Sequence, residues 1–500
     1  MKKIVLISLA ICLLGFKGFG QQTSAGKSFS VDYTQWCQLN YPSIYINCGN
    51  SDLFNTGQKI TLEVWLRAYT FGENRKVMGK TTESFNSGYI LGFENLSPYS
   101  EIYNPQKQEI PRTGAGPMPQ DSAWIHLVTT YNGNGQMINY INGVNMGEIT
   151  IFPTGNITSN TNPFIIGLAP WDLVSYEFVG DIDEVRVWNI EKSAQQIKDE
   201  MFCTLKGNET GLVAYYNFNN DTDSVAHDIG LNSLNGIVHN VDKLCFSWAK
   251  SFAPVADTTM NNMTDIQASW FGKDADTYTY LVTQNGISLI TSIPEKDFNK
   301  YVICGHNNLT GVTSDGKPAN APQDFQRLGR VWYVNKAGSF PSDVVFDLQN
   351  ASGGGQTLPV GAADSLYTLL SCDSIDGVYQ PVYSATTVMN KTIMFNKVEL
   401  SNKFYTIGYS SDKLANTAGI SNYKKETILK FFPNPCKSEC NIESPSESIL
   451  FITDISGRLL KTENLSKGNH TINVESLPKG LYILKLVTTT NCLQNKLIKQ

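Results

Sequence analysis

The chain has 500 residues, with 39 basic and 45 acidic side chains and a formal net charge of −6. Only 17% of its residues are charged and 11% are aromatic, which excludes intrinsic disorder for most of the chain. The mild acidity argues against a nucleic-acid partner, which needs a basic surface, while the 40 glycines and 20 prolines indicate turn-rich β-structure.

Residues 1–20 are predicted to be a secretory signal peptide. Lys2 and Lys3 precede an apolar run at 4–16, and Gly20 is the small residue expected at a cleavage site. The run is shorter than the ~20 residues that a membrane-spanning helix needs, and no later stretch is apolar enough to span a bilayer. We therefore expect an exported chain with no transmembrane segment.

Residues 25–245 are predicted to form a first β-sandwich module. The segment ITLEVW (60–65) alternates apolar and polar residues as a strand does. The pair Asn142-Gly143 lies between two alternating segments and predicts a two-residue hairpin turn. One short helix is predicted where Ser193 and Gln196 can form a capping box.

Five segments of this module occur in a characteristic order: ITLEVWLRA (60–68), AWIHLVTTYNGNGQMINYINGVNMG (123–147), FIIGLAP (164–170), GDIDEVRVWNIEKSAQQI (180–197) and GNETGLVAYYNFNN (207–220). The series resembles the laminin-G-like jelly roll of the concanavalin-A-like superfamily, in the bacterial form related to pentraxins. This resemblance implies two packed antiparallel sheets. It also implies a carbohydrate, cell-surface or matrix ligand, frequently with calcium.

Strand alternation predicts that Asp183 shares a face with Val185 and Val187. A carboxylate beside buried valines needs hydrogen bonds, an ion-pair partner or a bound cation. Either backbone amides or a basic residue satisfy Asp183, or it is a ligand of a structural calcium ion. For the calcium interpretation, similar jelly rolls imply further oxygen ligands from the turn after an early strand, here Asn50 and Asp52.

A loop between two predicted strands carries Trp171, Asp172 and Tyr176. An aromatic ring offers an apolar face to a sugar, and a carboxylate accepts hydrogen bonds from hydroxyl groups. These three residues are therefore the predicted ligand-binding residues. The alternative is that Trp171 belongs to the core, as is predicted for the tryptophans in strands.

The sequence contains no catalytic motif that we can identify. A glycosidase needs two carboxyl groups about 5–10 Å apart, and the E-x-D-x-x-E strand of catalytic members of this superfamily does not occur. The five histidines are scattered singly, and no G-x-S-x-G nucleophile elbow is present. We expect a binding protein and no enzyme. The alternatives are an accessory or cryptic polysaccharide hydrolase and a structural surface-layer component.

Residues 250–410 are predicted to form a second β-sandwich module of unknown role. Three of its segments resemble an uncharacterised module of large bacterial surface proteins: RLGRVWYV (327–334), SLYTLLSCDS (365–374) and FYTIG (404–408). That resemblance implies a fold and no reaction. A polar linker is predicted at 411–429.

The last segments are FFPNPCKSECNIESP (431–445), ITDISGRLLK (452–461), LPKGLYILKL (477–486) and KLIKQ (496–500). Together they resemble the type A C-terminal sorting domain of type IX secretion, with motif residues Pro433, Asn434, Pro435, Asp454, Gly457, Gly480 and Tyr482. The resemblance implies that residues 430–500 form a small Ig-like sandwich recognised by the type IX secretion machinery. It further implies a chain that is secreted, or attached to the outer surface, of a Gram-negative bacterium. A purely structural Ig-like domain is the alternative.

Ten cysteines remain to be explained, of which Cys12 lies in the predicted signal peptide. No C-x-x-C pair occurs, which argues against zinc binding or thioredoxin-like chemistry. Disulfides are the default in an oxidising compartment. Proximity along the chain predicts three pairs, although spacing alone leaves the connectivity open: Cys37–Cys48, Cys203–Cys245 and Cys304–Cys372.

Overall fold

The computed structural model describes residues 25–33, 43–69, 74–84, 86–94, 97–104, 122–150, 155–172, 175–240, 245–270, 279–292, 299–414, 429, 431–454, 459–488 and 492–500. Antiparallel strands dominate these ranges, so the predicted all-β class is confirmed. None of the helices within them is both long and apolar enough to cross a bilayer. The predicted signal peptide lies outside the described residues.

The described part of the first module contains fifteen strands and one α-helix. In chain order they are β1 (Lys27–Val31), β2 (Tyr45–Asn47), β3 (Ile60–Ala68), β4 (Asn74–Thr81), β5 (Gly88–Glu94), β6 (Ser97–Tyr103), β7 (Trp124–Tyr131), β8 (Gln136–Ile141), β9 (Val144–Thr150), β10 (Ile165–Ile166), β11 (Gly180–Trp188), α1 (Ala194–Glu200), β12 (Leu212–Tyr216), β13 (Val225–Ala226), β14 (Gly236–His239) and β15 (Phe246–Lys250). A short 3₁₀ helix follows β2 at Asp52–Phe54.

Two sheets face each other in this module and form the jelly roll. One has the order β15-β1-β11-β3-β7-β8-β9, with β12 paired to β11, and the other has the order β13-β14-β2-β10-β4-β5-β6. Alternate residues of β3, namely Ile60, Leu62 and Val64, enter the core between the sheets, as alternation predicts. Strand β15 pairs with β1 and extends the sheet beyond residue 245, where the sequence predicts the end of the module.

Two local predictions in this module are confirmed. Asn142 and Gly143 connect β8 to β9, both with positive φ (51° and 74°), as a two-residue hairpin requires. Helix α1 begins with a capping box in which the Ser193 hydroxyl accepts from the Gln196 amide and the Gln196 side chain accepts from the Ser193 amide. The buried face of the helix carries Ile197, which packs on the outer side of β7 and β8.

In the second module, thirteen strands and one α-helix lie within the described ranges. They are β16 (Thr264–Trp270), β17 (Thr279–Gln284), β18 (Ile287–Ser292), β19 (Tyr301–His306), β20 (Val312–Thr313), β21 (Gln326–Leu328), β22 (Trp332–Ala337), β23 (Ser342–Asp347), α2 (Leu348–Ala351), β24 (Tyr367–Cys372), β25 (Gln380–Ser384), β26 (Thr387–Met389), β27 (Thr392–Val398) and β28 (Lys403–Tyr409). Short 3₁₀ helices lie at Met260–Asn262 and Asp364–Leu366. One sheet runs β16-β19-β22-β28-β21-β20 with β24 and β25 attached, and the other runs β17-β18-β23-β27-β26.

The first and second modules share a hydrophobic core. Trp65 and Trp124, on the outer face of the first module, belong to one buried cluster with Trp270 and residues 253–263. The indole rings of Trp65 and Trp270 meet edge to face, with centroids 5.6 Å apart. The Trp270 Nε1–H also donates to the Trp124 carbonyl oxygen at 2.9 Å. Trp65 and Trp124 are therefore core residues, as predicted, but the core in question joins two modules.

The third module is a smaller sandwich with its own core. Its strands are β29 (Phe431–Phe432), β30 (Glu439–Ser444), β31 (Ser448–Asp454), β32 (Leu459–Leu465), β33 (Gly468–Asn473), β34 (Gly480–Thr488) and β35 (Cys492–Lys499), in the orders β29-β30-β33 and β32-β31-β34-β35. It contacts the second module through a small apolar cluster that includes Ile483, Val345 and Met394. Lys485 forms an ion pair with Asp343 beside that cluster.

All three predicted disulfides are wrong. Cys48 and Cys203 are free buried thiols, so neither Cys37–Cys48 nor Cys203–Cys245 forms. Cys48 lies inside the jelly roll, where burial raises the pKa of its thiol to about 12. Cys203 lies in the core shared by two modules, whereas Cys245 lies between the sheets of the first. Cys245 is disulfide-bonded, and its partner lies outside the described side chains.

The third predicted pair fails because of sheet order. Cys304 is on β19 and Cys372 on β24, and both are free. Strands β22 and β28 lie between them. Three strand spacings amount to ~14 Å, about twice the Cα separation that a disulfide tolerates.

Candidate functional site

The predicted ligand loop leaves β10 as a tight turn. Leu168 is buried against Tyr45 and Ile165 and anchors the start of the loop. The Asp172 amide donates to the Ala169 carbonyl oxygen at 3.3 Å, which closes the turn. Hydrogen bonding and apolar anchoring thus hold the backbone around the predicted residues.

The rings of Trp171 and Tyr176 come together at the tip of this loop. Their centroids are 6.0 Å apart and their planes are inclined by 48°. Tyr176 is 37% exposed, and Trp171 and Asp172 are half-buried. The Asp172 carboxylate accepts a hydrogen bond from the Ser175 amide at 3.2 Å. The structure therefore brings all three predicted ligand residues into one loop, with Trp171 packed on Tyr176 and outside the main core.

A buried carboxylate lies directly after the aromatic pair. Glu177 accepts hydrogen bonds from the Ile44 amide (2.5 Å) and from the Tyr33 hydroxyl. Its own carbonyl oxygen accepts from the Arg75 guanidinium at 2.8 Å. Burial raises the pKa of Glu177, although Tyr33, Ile44 and Arg75 oppose that shift. Glu177 thereby ties the loop to β4, to the chain just after β1 and to the residue before β2.

Lys76 on β4 forms an isolated parallel β-bridge with Glu177. The Lys76 backbone amide donates to the Tyr176 carbonyl oxygen at 2.9 Å, which joins the strand to the loop. The Lys76 ammonium lies 3.8 Å from the centre of the Tyr99 ring on β6, a cation–π distance. We call the set Trp171, Tyr176, Arg75, Lys76, Tyr99 and Glu177 the loop surface.

Lys76, Tyr99 and Glu177 are buried and support the loop surface from below. The part that a ligand can reach is the aromatic pair with the half-buried Arg75, which suits a ligand that has both C–H faces and hydroxyl groups. Sequence reasoning found its loop residues and missed Arg75, Lys76, Tyr99 and Glu177. One weak signal for Lys76 exists, namely a charged residue within a strand that is otherwise buried. Nothing in the sequence predicts that Lys76 meets Tyr99.

Asp183 is fully buried. It lies on the face of β11 opposite to Val185 and Val187, whereas alternation predicts that the three share a face. A β-bulge interrupts the pairing of β11 with β3 between Asp183 and Arg186, and Glu184 within it has φ of 53°. The extra residue turns Ile182 and Val185 into the jelly-roll core and leaves Asp183 outside it. The prediction that Asp183 shares a face with Val185 and Val187 is therefore wrong.

Asp183 is satisfied by hydrogen bonds. Its carboxylate accepts from the Ser251 hydroxyl at 2.6 Å and from the Glu184 amide at 2.7 Å. Burial and the neighbouring Glu184 raise the pKa of Asp183 well above its usual value.

The other two predicted calcium ligands lie elsewhere. Asn50 and Asp52 are exposed after β2, in the opposite sheet from Asp183. Within the described ranges, no group of three or more His, Cys, Asp or Glu side chains could hold a metal ion. The three residues do not fit a single site, and calcium binding by this chain stays a prediction.

Beside Asp183, the outer face of the first sheet carries a buried ionic cluster. Arg186 pairs with Glu184 at 2.7 Å and with Glu63 at 3.2 Å, and Lys192 pairs with Glu63 at 2.7 Å. Burial favours a higher pKa for Glu63, but Lys192, His126 and Arg186 outweigh it and hold that pKa well below the usual range. These side chains are at most 2% exposed. Because no ligand can reach them, the cluster is structural.

The described sorting-motif residues gather around β34 and β35. Asn434 donates to the Lys496 carbonyl oxygen (2.7 Å) and accepts from the Ile498 amide (2.8 Å). Leu497, between these two, pairs with Tyr482, which in turn pairs with Asp454. Pro433 and Pro435 flank Asn434, and Gly480 begins β34; Gly457 lies outside the described residues. The motif thus occupies one end of the four-stranded sheet.

Two regions of the chain match known families. Residues 41–198 match the concanavalin A-like lectin/glucanases superfamily, and residues 430–500 match the secretion system C-terminal sorting domain. The resemblances stated from the sequence for the first module and for the C-terminal domain are confirmed, and that of residues 250–410 stays a prediction. The sorting domain assigns the chain to type IX secretion, by which it is released or displayed at the cell surface.

Among solved structures, one similar protein is a putative carbohydrate-binding protein from Bacteroides ovatus. It is 20% identical, with a TM-score of 0.36, over 46% of this chain and 61% of that one. A heptameric pentraxin from Limulus polyphemus is 14% identical (TM-score 0.22; 35% and 81% covered). The binding domain of Paraclostridial Mosquitocidal Protein 1 is 10% identical (TM-score 0.29; 78% and 92% covered). No curated protein matches the sequence.

Proposed function

We propose that this chain is an exported binding protein whose first module recognises carbohydrate through the loop surface. The observation that carries the proposal is the aromatic pair of Trp171 and Tyr176, held at the tip of an anchored loop beside charged side chains. Sugars are bound in this way when a pyranose ring stacks on an aromatic face and its hydroxyl groups reach polar neighbours. The family matched by residues 41–198 includes lectins, which supports the same ligand class.

Recognition here requires no chemical step. Glu177 is buried and already accepts two hydrogen bonds, so it serves to position the loop. The Lys76 ammonium lies against the Tyr99 ring, which fixes that ring at the side of the surface. The exposed Tyr176 and the half-buried Trp171 are then the groups that a ligand meets first.

The test uses the full-length chain in a pull-down on insoluble polysaccharides, together with a glycan array and a reducing-sugar assay. Trp171→Ala and Tyr176→Ala are each expected to weaken binding about tenfold or more, since one lost stacking contact is worth on the order of 1.4 kcal/mol. Val360→Ala, at a 53% exposed apolar residue of the second module, is the matched control. Unchanged binding by both aromatic variants would refute the loop surface as the site.

The reducing-sugar assay separates binding from hydrolysis. We expect no release of reducing ends from any polysaccharide that the chain retains. Release that survives Trp171→Ala, with no retention on any polysaccharide, would favour the hydrolase alternative. If no polysaccharide is either retained or cleaved, the structural surface-layer alternative is favoured.

A further inference from the structure

A second pocket opens in the first module, away from the loop surface. It lies where the chain leaves β12 and passes through β13, and its volume is about 390 Å³. That volume is within the range of pockets that bind small molecules. The pocket is lined by Asn217, Asn220, Asp221, His227 and Ile229.

A buried carboxylate lies at the base of this pocket. The Asp221 side chain is only 1% exposed, and the His227 imidazole Nδ1 lies 2.6 Å from its Oδ1. The His227 backbone amide also donates to this carboxylate. The Lys27 ammonium donates to the Asp221 carbonyl oxygen at 2.6 Å and fixes the backbone. Asp221 is therefore held in place by His227, and burial raises its pKa although His227 and the nearby Lys27 oppose that shift.

This contact fixes the direction of the imidazole. In the neutral tautomer that donates Nδ1–H to Asp221, the acceptor lone pair of His227 is on Nε2, the opposite nitrogen of the ring. The His227 side chain is 49% exposed. No described residue bonds Nε2, so this nitrogen can accept a hydrogen bond from a ligand.

The remaining walls supply amide groups and an apolar patch. The Asn217 Oδ1 accepts from the Asn219 amide at 3.3 Å, and no described residue accepts from its NH₂ group. Asn220 is exposed at the rim and offers a second side-chain amide. Ile229 contributes apolar surface. One imidazole acceptor, two amides and an aliphatic wall match the vicinal hydroxyls and the C–H face of a sugar ring.

We propose that this pocket is a second carbohydrate site, which holds one terminal sugar residue through His227, Asn217 and Asn220. A neutral ligand is favoured over an anion, because the pocket has a carboxylate at its base and no arginine in its lining. A metal ion is disfavoured, since the described residues offer no cluster of three or more His, Cys, Asp or Glu ligands there. The proposal rests on the proposed function only in assigning the same ligand class to both sites.

The chain has only five histidines, so the imidazole signal of His227 can be followed individually by NMR. The full-length chain is labelled with ¹⁵N- and ¹³C-histidine, and the imidazole resonances are followed while methyl glycosides of glucose, galactose and mannose are added in turn. At least one glycoside is expected to shift a single imidazole signal, the one that is missing in His227→Gln. Asn220→Ala, at an exposed residue, is expected to weaken that titration about tenfold, and His470→Gln, in the third module, to leave it unchanged.

The two sites fail independently in this design. Trp171→Ala is expected to leave the His227 titration unchanged, so loss of polysaccharide retention with a preserved titration would remove the loop surface alone. If no glycoside shifts the His227 signal, the second site is refuted, whatever the pull-down shows. Zn²⁺ alone is added in a parallel titration, and a His227 shift with Zn²⁺ and with no glycoside would also overturn the proposal.

Discussion

Arg186 offers the sharpest test of how the first module is held together. Its guanidinium pairs with Glu184 and Glu63 and also donates to the Cys203 carbonyl oxygen at 2.6 Å. All of its side chain is buried. Arg186→Met keeps an unbranched apolar chain of comparable reach and removes the charge, which leaves Glu184 without its cation.

Removing one partner from a buried ion pair typically destabilises a protein by about 3–5 kcal/mol. The upper half of that range is expected here, because Arg186 pairs with two carboxylates, Glu63 and Glu184. Without Arg186, Lys192 still pairs with Glu63, but it does not reach Glu184. A loss of this size lowers the melting temperature on the order of 10 °C in a domain of this length. The loss is compared with the loss on removing one partner of an exposed ion pair, since exposed pairs contribute only about 0–1 kcal/mol to stability.

The loss should depend on pH. Burial already raises the pKa of Glu184, and Arg186 opposes that rise, so the variant raises it further. A carboxyl group with a higher pKa in the folded state binds its proton more readily there than in the unfolded chain. Folded-state stability is then lost as pH rises through the folded pKa. The deficit of Arg186→Met is therefore expected to be larger at about pH 8 than at about pH 5.

Differential scanning fluorimetry and urea unfolding at both pH values measure this deficit. Lys59→Met is the matched control, because Lys59 pairs with Glu191 at 3.5 Å while 45% exposed. We expect the control to stay within about 1 kcal/mol of the parent chain. A melting temperature of Arg186→Met equal to that of the control, or a deficit that grows toward acidic pH, would refute the reasoning.

Three further predictions concern Asp183, Lys336 and the cysteines. Asp183→Asn is expected to change stability by less than about 1 kcal/mol, because an amide has the shape of the carboxyl group and can keep hydrogen bonds with Ser251 and the Glu184 amide; a large loss with EDTA sensitivity in the parent chain would instead support calcium. Burial lowers the pKa of Lys336 to about 8 from its usual 10.5, so the parent chain should gain stability relative to Lys336→Met as pH rises from 8 to 10.5, and urea titrations with the opposite trend would contradict this. Alkylation of the unfolded, non-reduced chain, followed by mass spectrometry, should spare Cys245, and its labelling would count against the bonding described. The same experiment should label the six free thiols: Cys48, Cys203, Cys304, Cys372, Cys436 and Cys440.

Local chemistry explains what could be predicted from the sequence. The hairpin at Asn142-Gly143 and the capping box at Ser193 depend on neighbouring residues, and both form as predicted. Strand alternation places Leu62 and Val64 correctly for the same reason, since side chains alternate along any regular strand. The aromatic loop at Trp171 could be found because its residues are close in sequence.

Predictions failed where distant segments decide the outcome. A non-glycine residue at positive φ, Glu184, creates a bulge that has no local signature, and it moves Asp183 to the other face of β11. Disulfide pairing depends on which strands are adjacent, and proximity along the chain carries little of that information. Lys76, Tyr99 and Glu177 meet only because sheet pairing brings three separate strands and a loop together.

The core shared by the first two modules has a mechanical consequence. A protein that holds a ligand at its first module and is attached through its C-terminal end experiences any pull along the whole chain. The edge-to-face packing of Trp65 on Trp270 makes the first two modules resist that pull as one body. The third module meets them through the small cluster around Ile483 and the pair of Lys485 with Asp343. Tension should therefore open that contact first and leave the first module folded under load.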